Sequence, residues 1–198
     1  MRLYLATSNQ GKLREIKALF SHFDVQAYSD IIEPFEIIED APTFQGNAIL
    51  KSEAVYHALK DDEAVVIADD SGISVDVLNG EPGIFSARYA GEDASDKDNL
   101  HKVIDEVKKH GVQSSPAHYT AAIALTSKYG TVTVHGWMYG MVTTTPKGDG
   151  GFGYDPIFIP ENYTQTLGEL SHEIKATLSH RSQALQRLEL IIKGMHFN

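Results

Sequence analysis

The 198-residue chain contains no cysteine. That removes disulfides, thiol nucleophiles and cysteine-bound zinc from consideration, and it suits a reducing compartment. Cations are also scarce: 17 Lys and Arg stand against 27 Asp and Glu, a formal net charge of −10. Non-specific affinity for nucleic acid comes from neutralising phosphates with Lys and Arg, so no nucleic-acid partner is expected. On global charge alone even a polyphosphate ligand looks awkward. No apolar stretch approaches the ~18 residues of a membrane-spanning helix, so no membrane partner is expected either. The opening run Met1–Ala6 breaks at Thr7-Ser8-Asn9, short of the roughly 7–15 residue core of a signal peptide. The chain is expected to be soluble and intracellular, in the cytoplasm.

What is present is globular. Apolar content of 42% with 22% charged residues excludes a disordered or fibrous chain, and the length suits one domain, 1–198, with two lobes. Arg2–Ala6 reads as a buried strand. Lys12–Phe20 follows with apolar residues at 13, 16, 19 and 20, one face of a helix. Thr43–Leu59 is a second helix with a broad stripe of Phe44, Ala48, Leu50, Ala54, Val55 and Ala58. The continuous run Ala64–Ala68 suits a strand covered on both faces, ending at Asp69-Asp70-Ser71-Gly72. Asn99–His110 reads as a helix stopped by Gly111. Tyr119–Thr126 and Thr131–Val142, rich in β-branched and aromatic residues, form a hairpin, in which Trp137 and Tyr139 are expected in core or interface. Pro146–Gly151 reads as a flexible loop, Ile157–Ile159 as a short strand and Ser179–Lys193 as a last helix. Thr166-x-x-Glu169 resembles a capping box that would start another. Helix–strand alternation followed by a hairpin predicts an α/β protein with a mixed sheet.

Several clusters carry chemistry. Thr7-Ser8-Asn9-Gln10-Gly11-Lys12 ends a strand in hydroxyls and amides and places Lys12 in a helix first turn, where free N–H groups suit phosphate; plain N-capping by Ser8 or Asn9 explains it equally well. It is not a Walker loop, because the leading Gly and the Ser or Thr after Gly-Lys are missing. Glu39-Asp40 precedes the helix carrying Asn47 and Lys51, as either dipole-favoured caps or metal ligands. Asp69-Asp70-Ser71-Gly72 puts two carboxylates at a strand end, where open α/β sheets place ligands; such hard oxygens suit Mg²⁺, and an Asp-rich turn is the plainer alternative. Gly148–Gly153 matches G-x-G-x-x-G, but Pro156 follows where a dinucleotide fingerprint needs a helix. It reads better as a platform presenting Phe152 for stacking on a base and Asp155 for reading its edge. Lys175 and Ser179-His180-Arg181 gather cations at a helix start, where the dipole prefers anions; an anionic or carbonyl-bearing ligand would justify them. The other histidines show no ligand spacing.

Taken in order, Ala6-Thr7-Ser8-Asn9-Gln10-Gly11-Lys12, Thr43-Phe44-x-x-Asn47-Ala48-x-x-Lys51, Ala68-Asp69-Asp70-Ser71-Gly72, Gly83-Ile84-Phe85-Ser86-Ala87-Arg88-Tyr89, Gly151-Phe152-Gly153-Tyr154-Asp155-Pro156 and Ser179-His180-Arg181 resemble the inosine triphosphate pyrophosphatase family across nearly the whole chain. The resemblance implies an α/β fold with a long curved mixed sheet flanked by helices, two lobes around a central cleft, and a homodimer. It implies cleavage of ITP, dITP or XTP between the α- and β-phosphates, to monophosphate and pyrophosphate, with Mg²⁺. Thr7, Ser8, Asn9, Gln10, Gly11, Lys12 and Lys51 would hold the triphosphate. Glu39 and Asp70 would hold the metal, with Asp70 also the catalytic base and Asp69 assisting. Ser71 would contact substrate, and Phe152, Gly153, Tyr154, Asp155, Lys175, His180 and Arg181 would surround the base. Ser182 stands where family members often carry Gly.

Overall fold

The run of buried Leu3, Tyr4 and Leu5 forms the first strand, and its two faces organise everything around it. A computed structural model describes residues 2–7 and 9–195, apart from the side chains of Gln10 and Glu15. Its elements are β1 (Arg2–Leu5), α1 (Gln10–Leu19), β2 (Asp24–Ala27), α2 (Phe44–Leu59), β3 (Val66–Val75), α3 (Asp96–Lys109), β4 (Ser114–Ser127), β5 (Gly130–Thr143), β6 (Phe158–Pro160), α4 (His172–Leu178) and α5 (His180–Gly194), with short 3-10 turns between. One six-stranded sheet has the order β2-β1-β3-β4-β5-β6. Strand β1 runs parallel to β2 and to β3, while β5 and β6 are antiparallel. The sheet is therefore mixed, as expected. Residues 2–70, 121–135 and 183–195 form one compact unit, and 71–120 with 136–182 a second.

In the first unit, side-chain alternation along the strands sorts two cores. Leu3, Leu5, Val65 and Ile67 pack with Ile16 and Phe20 beside α1, and with Leu185 and Leu188 of α5. Tyr4, Ala6, Val66 and Ala68 pack with Val55 of α2. A strand buried on both faces must be apolar at every position, which is why 64–68 shows no polar alternation. Helix α1 starts where Asn9 Oδ1 accepts from the N–H groups of Gly11 and Lys12. Helix α2 starts at Thr43, whose Oγ1 accepts from Gly46 N.

In the second unit Leu100, Val103, Ile104 and Val107 of α3 pack against Ile73, Val75, Tyr119, Val142 and Phe158. A reciprocal capping box of Ser95 and Asp98 starts α3, three residues before the expected Asn99. Only half of the expected box at Thr166 and Glu169 forms: Thr166 N donates to Glu169 Oε2 at 2.9 Å, but Thr166 Oγ1 donates to the Lys147 carbonyl at 2.7 Å, and a turn rather than a helix follows. The helix begins instead at His172 behind a Ser171 cap. Trp137 and Tyr139 are 39% and 57% exposed, so of the core and interface alternatives the core one is removed: alternation turns them away while Met138 goes inward.

The chief correction concerns β3. It does not end at Asp69 but continues to Val75, so Asp69-Asp70-Ser71-Gly72 is mid-strand rather than a turn. Gly72 has no positive φ. A side chain there would start 2.4 Å from Ser86 Oγ and 2.6 Å from the Gly83 carbonyl oxygen; the glycine lets the 83–88 segment lie directly on the strand.

Candidate active site

Adjacent residues of a strand point to opposite faces, and that separates the two aspartates. Asp69 lies on the α1 face, where Lys12 Nζ stands 2.6 Å from its Oδ2 and donates to its carbonyl oxygen at 3.5 Å. Asp70 lies on the α2 face, where Lys51 Nζ stands 3.2 Å from its Oδ1 and 2.7 Å from Glu39 Oε2. Asn47, one turn before Lys51, donates from Nδ2 to Asp70 Oδ2 at 3.3 Å and accepts the Ala41 N–H at 3.0 Å. It thereby fixes the 39–41 approach to the carboxylate. In the sequence Asn47 belongs to the same motif, and its spacing of four from Lys51 puts both on one helix face.

This cluster is largely dry. The Asp69, Lys51 and Asp70 side chains are 1%, 11% and 13% exposed. Burial raises the pKa of Asp70 above the usual carboxylate range, with Lys51 and Lys12 opposing it and Glu39 assisting. Burial pulls the other way on Lys51, but Asp70 and Glu39 outweigh it and hold its pKa above the ordinary lysine value. Two ammonium groups face three carboxylates, so the cluster keeps one net negative charge. Glu39 rather than its exposed neighbour Asp40 reaches Lys51.

Of the opening motif, Thr7 Oγ1 accepts the Asn9 N–H at 3.1 Å and Asn9 caps the helix, so both side chains serve α1. Gly11 opens that helix beside them, its N–H taken by Asn9. Ser8 and the side chain of Gln10 lie outside the described residues.

The second unit carries its own polar cluster. Arg181, 2% exposed, donates from Nη2 to Ser71 Oγ at 3.0 Å. Lys175 Nζ lies 3.3 Å from Asp155 Oδ2, and the same oxygen accepts the Phe152 N–H at 3.3 Å. Gly151, at φ +89°, leaves room for that pair: a Cβ there would fall 1.8 Å from Asp155 Oδ2 and 2.6 Å from Lys175 Nζ. The expected flexible loop is braced. Lys147 N donates to the Pro156 carbonyl, Gly150 N to that of Gly168, and Gly153 N to Asp96 Oδ2. Phe152 is 58% exposed, as a stacking platform would be, whereas Tyr154 is buried. Its hydroxyl donates to the Ser86 carbonyl at 2.6 Å and ties the loop to the segment packed on Gly72. His180, 8% exposed, opens α5.

Similarity to known proteins shows the family of the chain. Residues 3–190 match the model of the Ham1 family. The dITP/XTP pyrophosphatase of Sulfurimonas denitrificans is 59% identical, with 98% of this chain and 100% of that one covered. That of Nautilia profundicola is 51% identical, covering 99% and 100%. The Ham1 protein structure from Staphylococcus aureus superposes with a TM-score of 0.88 at 38% identity, over 98% of this chain and 99% of that one. The chain belongs to the Ham1 family. Its open, helix-flanked mixed sheet is the Ham1 fold.

Enzymes that handle triphosphates generally use a divalent cation, and the donors suit one. Among the described residues no three His, Cys, Asp or Glu side chains gather to hold a metal. Glu39 and Asp70, however, converge on one Lys51 ammonium, and a hard cation held by one or two carboxylates takes its remaining ligands from phosphate and water. Asp69, on the opposite face, holds Lys12 instead.

Proposed function

We propose that this Ham1-family chain hydrolyses deaminated purine nucleoside triphosphates, ITP, dITP and XTP, to the monophosphate and pyrophosphate, with Mg²⁺ as cofactor. The observation that carries the reading is the pair of lysines held by carboxylates on opposite faces of one strand, Lys12 on Asp69 and Lys51 on Glu39 and Asp70. The name dITP/XTP pyrophosphatase borne by full-length relatives supports the choice of reaction.

Phosphoryl transfer is mainly a matter of positioning and neutralising charge. Residues 7–12 at the start of α1, with Lys12 and Lys51, take the triphosphate oxygens. Glu39 and Asp70 would hold Mg²⁺, which when bound would polarise phosphate and offset its charge. Asp70 also accepts the proton of the attacking water as general base. The water oxygen bonds to phosphorus, the α–β bridge breaks, and pyrophosphate leaves. In the second unit Phe152 stacks on the base, Gly153 and Tyr154 shape the loop beside it, and Ser71, Asp155, Lys175, His180 and Arg181 read its polar edge. A donor aimed at the 6-keto oxygen is left unpaired by adenine, and an unpaired buried polar group discriminates strongly. The whole chain acts as one functional domain, as a homodimer in the cytoplasm; no helix among the described residues is long and apolar enough to cross a membrane.

Product analysis across ITP, XTP, dITP, ATP and GTP with Mg²⁺ tests this. Pyrophosphate from the first three, nearly abolished by Asp70→Asn, is expected. Orthophosphate would overturn the cleavage site, and equal turnover of ATP and GTP the selectivity. Intact ITP would point to a nucleotide-binding module without turnover.

A further inference from the structure

We propose that Tyr119 of β4 is a positioning residue for recognition of the base, fixing the plane of the His180 ring; this rests on the function proposed above. The Tyr119 ring stacks on the His180 imidazole with centroids 4.9 Å apart and planes at 16°. Its ring also meets Phe158 of β6, edge-on at 4.8 Å and 64°, itself fully buried. One buried side chain thus braces the start of α5. Its place follows from register: Ala117 and Tyr119 turn to the core of the second unit while His118 between them is only partly buried.

The consequence is directional. An imidazole donates and accepts in the plane of its ring, and its χ2 torsion is otherwise broad. A stacked neighbour, itself held by Phe158, sets that plane and so the line along which His180 offers its hydrogen bond. Substrate need not touch Tyr119 for this to matter.

The test compares Tyr119→Phe, which keeps the ring, with Tyr119→Leu, which removes it. Tyr119→Met, whose flexible side chain fills irregular space, stands in if the leucine variant does not fold. With the stack lost, kcat/KM for ITP should fall about 3- to 10-fold, the range of an aromatic pair, mainly through KM. The ITP-to-GTP preference should fall with it, and the phenylalanine variant should stay within about 3-fold of the parent. Inhibition by inorganic pyrophosphate, which has no base, should not change. The ring-proton NMR signal of His180, identified by its disappearance in His180→Gln, should move in the leucine variant and hold in the phenylalanine variant. A folded leucine or methionine variant with undiminished ITP preference overturns the inference. A parent protein indifferent to the base overturns the proposed function itself, and the two failures are told apart in the same assay.

Discussion

Replacing Lys51 by Met removes the cation on which Asp70 and Glu39 converge while nearly keeping the volume. Deleting one partner of a buried pair costs about 3–5 kcal/mol, because it strands the other charge. Glu39 is 34% exposed at its side chain and can rehydrate, so the lower end, about 3 kcal/mol, applies mostly to Asp70. At about 2–4 °C per kcal/mol for a chain this size, the melting temperature should drop by ~6–12 °C at neutral pH. Protonating Asp70 relieves the strain, so the deficit should shrink as the solution is acidified. Adding Asp70→Asn to the same protein removes the stranded charge and should return at least ~1 kcal/mol, the coupling expected of residues in contact. Calorimetry of the parent, both single variants and the double variant reads the whole cycle. A Lys51→Met protein melting within about 2 °C of the parent, or a double variant no more stable than Lys51→Met, would refute the argument that this ammonium neutralises a buried carboxylate.

Asp70→Asn alone should stabilise the protein while disabling it. A folded-state pKa raised above 3.8 means that folding favours the protonated form; that stability is present below 3.8 and is lost as pH rises through the folded pKa. The variant's advantage over the parent, measured by urea unfolding, should therefore be near zero in acid and grow toward neutrality; an advantage that shrinks with rising pH would contradict the burial argument. Gly72→Ala should destabilise by about 1–3 kcal/mol, the cost of overpacking, because its methyl would meet the Gly83 carbonyl oxygen 2.6 Å away, a backbone atom. Urea unfolding of that variant within ~0.5 kcal/mol of the parent would show that the 83–88 segment yields freely.

The elements were legible wherever local pattern and tertiary demand agreed. β1, the apolar part of β3 and the β4–β5 hairpin are doubly covered or β-branched stretches, and they lie within a few residues of where the pattern puts them. Helix α2 shows where agreement ends. Its apolar stripe includes Leu50, yet Leu50 is 36% exposed and the buried face is Asn47, Ala48, Lys51, Ser52 and Val55. Counting apolar residues cannot find a face that buries an amide and an ammonium, because what turns those groups inward is Asp70, 19 residues beyond Lys51. The same partnership hid the true length of β3: two aspartates look like a turn until each has a lysine from a different helix. The role of the Tyr154 side chain was illegible for another reason. Its neighbours Phe152 and Asp155 are polar-edge or exposed groups, and only the fold reveals that its hydroxyl is committed to the Ser86 carbonyl.

The acidity of the chain takes on a local meaning in this light. Lys12 and Lys51 are satisfied before any nucleotide arrives, so a phosphate oxygen gains either ammonium only by competing with Asp69, Asp70 or Glu39. With three carboxylates against two cations, the cluster by itself repels a triphosphate. A divalent cation on Glu39 and Asp70 would change the local balance from one net negative to one net positive charge, and it would leave Lys51 free to turn from carboxylate to phosphate. Metal and substrate should therefore bind with positive linkage. Titration calorimetry of Asp70→Asn, in which substrate persists, should give ITP an affinity at least about tenfold lower without Mg²⁺ than with it in the parent's Glu39-only remnant of the site, and a smaller ratio still in Glu39→Gln/Asp70→Asn. Equal ratios in the two proteins would show that the carboxylates on Lys51 are not where the charge of the cation is felt.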